Sequence, residues 1–236
     1  MGKRLTKQAR GEGSFTFRVR KKSYIYRITY PRLDTEGKAK IISLFNSSAH
    51  TTPLVKVKIN EENFFVPSAN GVYEGQEIWI GKRPENKKPE PGDILKLKDI
   101  AQGTNVFNIE FSPGNGGKIL RSGGSSGLVM NRDEKGVEVI IKRRMIKLNE
   151  NCRAVIGTAA GDGRKIKPLI KAGKRYHMMK AIGRKWHRTS AIKVNAVDHP
   201  FGSGRGKRIK SKIAKRYSAP GQKVGHIRPS RTGRTK

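Results

Sequence analysis

Acidic residues are scarce in this chain. Eighteen Asp and Glu stand against 52 Lys and Arg in 236 residues, a formal net charge of +34 at pH 7. Such an excess opposes compaction by self-repulsion and seeks a polyanion, so the working state is expected to contain one. Cysteine is scarcer still. Cys152 is alone, which excludes an intramolecular disulfide and a structural zinc site built from closely spaced Cys and His. A reducing, intracellular compartment fits. Long apolar runs are also lacking: no stretch approaches the ~20 residues that span a bilayer. The first ten residues carry Lys3, Arg4, Lys7 and Arg10 with no apolar segment behind them, so neither a membrane anchor nor a secretion signal is expected. The sequon Asn46-Ser47-Ser48 carries no weight in an unsecreted chain.

The charge that is present is unevenly laid out. Residues 1–30 hold 9 basic and 1 acidic residue, 31–170 hold 23 and 16, and 171–236 hold 20 and 1. A nearly balanced middle is therefore flanked by two basic ends. From 201 to 236 there are 12 basic residues and no acid, interleaved with Gly, Ser and Pro. That composition cannot bury enough apolar surface to fold alone and is expected to order against its partner.

The middle reads as short strands. Tyr24, Tyr26, Ile28 and Tyr30 alternate with Ile25, Arg27 and Thr29; Val55, Val57 and Ile59 alternate with Lys56 and Lys58; Phe107, Ile109 and Phe111 alternate with Asn108 and Glu110. Each is the period-2 pattern of a half-buried strand. Further short runs lie at 40–45, 64–66, 77–80, 94–97, 128–130, 137–141, 145–148 and 154–156, separated by turn dipeptides such as Asn70-Gly71 and Pro113-Gly114. Many short strands with little helix point to barrels or sandwiches. A boundary is expected within 81–93, where Pro84, Pro89 and Pro91 interrupt any element. The spacing of Tyr176, Met179 and Ile182 predicts one helix over 174–186, limited by Gly183.

Chemistry of the enzymatic kind is not found. Upstream of Gly206-Lys207 the first P-loop position is Phe201, and Arg208 follows the lysine; upstream of Gly117-Lys118 the first position is Ser112. Glycine-rich segments instead carry cations: 113–118 with Lys118, 121–127 with Arg121, and 200–208 with Arg205, Lys207 and Arg208. Glycine lets backbone amides approach phosphates, and neighbouring cations neutralise them; ordinary tight turns with incidental charge are the plainer reading. Asp198 beside His199 suggests acid–base catalysis only weakly, since adjacent residues rarely face each other. The preferred reading has Asp198, the sole acid of the last 66 residues, tying its loop, and His199 contacting RNA. Tyr176, His177, Trp186 and His187 are interleaved with Lys174, Arg175, Lys180, Arg184, Lys185 and Arg188. Flat faces and charges together suit unpaired bases and their phosphates, although the aromatics would also serve as core.

Several segments resemble one family: NAVDHPFGSGRGK at 195–207, FNIEFSPGNGGKILRSGG at 107–124 and CRAVIG at 152–157. They are similar to the universal large-subunit ribosomal protein L2 family. APGQKVGHIRPSRTGR at 219–234 and GDGRKIKPLIKAGKRYH at 161–177 resemble its archaeal and eukaryotic branch. The resemblance implies a mainly β fold, with a basic extension and first strand over 1–30, an OB-fold RNA-binding domain over 31–92, an SH3-like barrel over 93–170, and a basic rRNA-binding extension over 171–236. It implies a structural role and no enzyme. The partners implied are large-subunit rRNA, neighbouring ribosomal proteins and the small subunit through intersubunit contact, with no membrane. Binding near the subunit interface and the peptidyl-transferase region would support subunit association, tRNA binding and peptide-bond formation. No cofactor or protein-held metal is implied beyond structural magnesium accompanying the rRNA.

The implied rRNA contacts begin with Lys118 and Arg121, and continue with Lys171, Lys174, Arg175, His177 and Lys180. Arg184, Lys185, Trp186, His187 and Arg188 follow. The specific loop supplies Asn195, Asp198, His199, Pro200, Gly202 and Gly204, then Arg205, Lys207 and Arg208. Phe201 matches the archaeal and eukaryotic pattern, whereas Ser203 and Arg205 depart from the family's usual run of glycines and acid. A DNA-compacting protein, which Ser203-Gly204-Arg205-Gly206-Lys207 echoes, and an enzyme acting through His199 are the competing readings.

Overall fold

In the computed structural model the alternation at 55–59 becomes a strand, β2 (Leu54–Ile59), with Val55, Val57 and Ile59 buried and Lys58 exposed. The structure describes residues 3–6, 8–84, 88–133, 136–203 and 213–227. Two units form: Lys21–Ile170, and Met1–Arg20 together with Lys171–Lys236. The protein is mainly β. No helix among the described residues is long and apolar enough to cross a membrane.

The first unit is built from β1 (Gly37–Phe45), β2, β3 (Glu62–Pro67), β4 (Glu77–Gly81) and β5 (Ile94–Lys96). It continues through β6 (Asn105–Phe107), β7 (Gly127–Asp133), β8 (Gly136–Ile141), β9 (Arg144–Leu148) and β10 (Arg153–Ile156). Hydrogen bonding links them in the order β3-β2-β1-β4-β5-β10-β6-β7-β8-β9. All pairs are antiparallel except β4 and β5. A parallel pair cannot be joined by a tight hairpin, which agrees with the separation of β4 and β5 in sequence, Gly81 to Ile94. Asp93 fastens the end of that segment: fully buried, it accepts the Trp79 N–H at 2.8 Å, the Glu90 N–H at 2.9 Å and the Arg83 guanidinium.

Two apolar cores meet across the central strands. In β5, Ile94 enters the first core and Leu95 the second; in β6, Val106 enters the second and Phe107 the first. Val155 of β10 belongs to the first, while Ala154 and Ile156 belong to the second. Successive strand residues face opposite sides, so β5, β6 and β10 form a wall shared by both cores. That explains why all four residues of β10 are buried. A strand covered on both faces reads as an apolar run rather than an alternation.

The structure corrects several expected elements. Residues 24–30 form no strand: Tyr24 has φ +57°, and a single bridge joins Ile28 to Phe65. Tyr26 instead packs its ring on Phe45 and Phe65, with centroids 4.6 and 5.0 Å away. The strand expected over 107–111 ends at Phe107, because Asn108 takes φ +50°. Phe107 and Ile109 are buried as expected, but Asn108 and Glu110 are fully buried as well, and Phe111 is 64% exposed. The run at 94–97 loses Leu97 to a 3-10 turn spanning Leu97–Asp99.

Candidate nucleic-acid interface

The second unit holds α1 (Ala172–Ala181), shorter than the helix expected over 174–186. It stops before Gly183, whose φ of +66° is left-handed and whose absent side chain matters: a Cβ there would lie 2.5 Å from the Phe17 carbonyl oxygen. No residue of α1 is buried, and Tyr176 is 43% exposed, so the expected apolar stripe is not core. Polar contacts hold the helix to the chain's beginning. The Lys180 ammonium donates to the Phe15 carbonyl at 2.6 Å, and the Arg20 guanidinium donates to His177 Nδ1 at 2.6 Å. Trp186 lies beyond the helix, half-buried beneath Arg175, whose guanidinium carbon is 5.1 Å from the ring centroid.

The loop carrying Asp198 and His199 follows a 3-10 turn at Ala191–Lys193. Its shape comes from backbone bonds on Asn195, whose carbonyl accepts the N–H groups of Asp198 at 2.9 Å and His199 at 3.2 Å. The Ser203 N–H closes back to the Val194 carbonyl at 3.1 Å. Gly202 is buried where these strands of chain converge, and a Cβ would meet the Val194 and Asn195 carbonyl oxygens at 2.4 Å. His199 Nδ1 accepts the Phe201 N–H at 3.0 Å, which puts the neutral ring's proton on Nε2. The two rings stand 5.0 Å apart.

Lys3 reaches this loop. Lys3 donates its N–H to the Val197 carbonyl at 2.7 Å, and its ammonium lies 3.7 Å from the Asp198 carboxylate. A cavity of about 790 Å³ results. Its walls bring Lys3, Arg4 and Arg10 together with Lys185, Arg188 and Lys223, against one carboxylate, Asp198. Phe17, His187, His199 and Phe201 add rings to the same lining. Arg4 is engaged by Glu12 and by the Gln8 carbonyl. Arg10, Lys185, Arg188 and Lys223 make no ion pair among the described residues.

Of the residues named from sequence, Lys185, His187, Arg188, Asp198 and His199 converge on the cavity. Lys171, Lys174, His177, Arg184 and Pro200 are exposed outside it; Arg175, Lys180 and Trp186 are partly buried. Lys118 and Arg121 belong to the other unit. Lys118 is exposed there, whereas Arg121 is half-buried, donates to the Gly117 carbonyl at 3.3 Å, and has its pKa lowered by that burial. Gly204, Arg205, Lys207 and Arg208 lie outside the described residues. Lys3, Arg4, Arg10 and Lys223 were not singled out from sequence as site residues. The basic excess of 1–30 was the available signal, but it says nothing of where those residues fold. No group of three or more His, Cys, Asp or Glu gathers to hold a metal among the described residues.

Six cations thus surround one carboxylate, with rings beside them, in a protein of mainly β architecture. Residues 90–220 match the family model described as ribosomal proteins L2, C-terminal domain. The chain is 40% identical over 243 residues to the large ribosomal subunit protein uL2 of Methanococcus maripaludis, covering 99% of this chain and 100% of that one. It is 39% identical over 237 residues to uL2 of Archaeoglobus fulgidus and 41% over 244 residues to that of Methanocaldococcus jannaschii, covering 99% of each chain in both cases. The chain belongs to the ribosomal protein L2 family, in its archaeal type.

Proposed function

We propose that the chain is a structural constituent of the large ribosomal subunit, in the cytoplasm, acting in translation by binding large-subunit rRNA. The observation that carries this is the cation-lined loop and cavity of the second unit, in a chain whose last 66 residues hold 20 basic residues and one acid. Family membership supports the subunit assignment. On this reading Lys21–Ile170, with its two cores, supplies the preformed OB-fold and SH3-like surfaces, the domains dividing near 92. The basic extensions condense with the rRNA, placing the His199 loop toward the peptidyl-transferase region near the subunit interface. Subunit association, tRNA binding and peptide-bond formation are then supported by scaffolding, with magnesium entering alongside the rRNA and neighbouring proteins completing the site.

Each phosphate contact releases counterions, so affinity falls steeply with salt. Shape, stacking and backbone contacts, rather than groove reading, would give the specificity. Sedimentation of lysate through a magnesium-containing gradient at raised salt tests the assignment: the protein is expected with the large subunit, and migration with DNA or as unbound protein would overturn it. His199→Gln is expected to impair subunit assembly while the isolated protein shows no turnover.

A further inference from the structure

The cavity beside His199 has a chemistry more specific than a cationic surface. Its volume of about 790 Å³ lies within the ~300–1,000 Å³ range of small-molecule sites. Arg10, Lys185, Arg188 and Lys223 line it without an ion-pair partner among the described residues, while its one carboxylate already faces Lys3. Phe17 and Phe201 line the same space. An inorganic phosphate would satisfy the cations and leave the rings unused. A flat apolar ligand would do the reverse.

We propose that this cavity accepts one unstacked nucleotide, its phosphate among the cations and its base against the aromatic rings. The proposal rests on the nucleic-acid reading above and deepens it. Base–aromatic stacking tolerates any base, so the ligand class is a nucleoside 5′-phosphate, supplied either by a base extruded from rRNA or by a free nucleotide. Lys3, Arg4, Leu5, Thr6 and Arg10 form part of the cavity wall and Lys3 bonds to Val197, so occupancy also fixes these residues against the His199 loop. An anion in the cavity relieves the mutual repulsion of its cations, which makes filling the site a way of ordering this unit.

The test is calorimetric titration of the full chain with adenosine 5′-monophosphate, adenosine and inorganic phosphate at low salt. Adenosine 5′-monophosphate is expected to bind at least tenfold more tightly than either part. Phe201→Ala is expected to weaken adenosine 5′-monophosphate at least fivefold and leave phosphate unchanged, and Arg188→Gln to weaken both. Lys223→Gln, at an exposed position, repeats the charge test should Arg188→Gln fail to fold. Equal affinity for the nucleotide and phosphate, or variants that bind as the parent does, would overturn the proposal. Binding to an rRNA fragment is measured in parallel. Loss of that binding in the parent chain sinks the nucleic-acid reading itself, whereas intact rRNA binding without nucleotide binding sinks the cavity assignment alone. Competition between the nucleotide and rRNA identifies an extruded base as the source; simultaneous binding identifies a free nucleotide. Both support the site.

Discussion

Arg153 and Glu110 bury opposite charges against each other, with side-chain exposures of 2% and 0%. Glu110 accepts the Arg153 guanidinium at 3.0 Å, the Arg153 backbone N–H at 2.9 Å and the Gly116 N–H at 3.0 Å. The guanidinium also donates to the carbonyls of Pro31 at 3.0 Å and Arg32 at 3.2 Å and lies over the Tyr30 ring. Tyr30 in turn bonds the Asn108 carbonyl, its pKa raised well above the usual phenol value by burial and then by Glu110. One ion pair thus ties three distant segments to β10.

Breaking that pair leaves a charge buried and unpaired. Glu110→Gln or Arg153→Met is expected to cost about 3–5 kcal/mol in urea unfolding, and the double variant less than the sum of the singles. Additive losses would show that the two side chains act independently.

Cys152, buried and close to Glu110, is expected to be inert. Burial, and then the Glu110 charge, push its thiol pKa up to about 11. The reactive thiolate is therefore sparse at pH 8. Alkylation by iodoacetamide at that pH is expected to be slowed at least tenfold in the native protein relative to the protein in urea. Equal rates would show that the site opens readily.

His50 gives the first unit a pH dependence. Burial lowers its pKa, with Arg121 adding to the effect, and its Nδ1 lies 2.8 Å from the Ser47 hydroxyl. The unfolded imidazole titrates near 6.5, above the folded one. Between the two values the unfolded state binds more protons, so stability falls as pH drops below about 6.5 and levels off below the folded pKa. Above that window His50 contributes no slope. Denaturant midpoints from pH 5 to 8 are expected to show this dependence, and His50→Gln to reduce it.

Gly202→Ala separates the two units functionally. Its Cβ would meet two carbonyl oxygens at 2.4 Å, so the loop must move. Affinity for rRNA is expected to fall at least fivefold, while unfolding of the unit carrying β1–β10 is unchanged. A comparable clash at Gly117, where a Cβ would lie 2.2 Å from the Asn108 carbonyl oxygen, is expected instead to destabilise that unit, because Asn108 is wholly buried. Thermal unfolding of Gly117→Ala checks this; an unchanged transition would show that the 108–117 contact yields.

Most strands were legible because short apolar runs bounded by turn residues are a local property. Residues 55–59 and 137–141 needed no partner to be recognised. Where backbone conformation interrupts the period, the pattern misled: φ +57° at Tyr24 and φ +50° at Asn108 ended alternations that continued on paper. The helix pattern at Tyr176, Met179 and Ile182 located α1 but misjudged its burial, since apolar spacing does not create a surface to pack on. The His199 loop was conspicuous in sequence, while its cationic surroundings at Lys3, Arg4 and Arg10 were not.

By itself the sequence determined the chain's net charge of +34, the short-strand architecture and the family resemblance, because composition, apolar runs and motif are read along the chain. Tertiary structure decided that Glu110 is a buried partner of Arg153, 43 residues away. It also decided that β5, β6 and β10 serve two cores and that Lys3, Arg4 and Arg10 line one cavity with His199. Those relationships join groups far apart along the chain. Each depends on which loop closures the folded packing can sustain, a balance set by the whole molecule and by no local pattern.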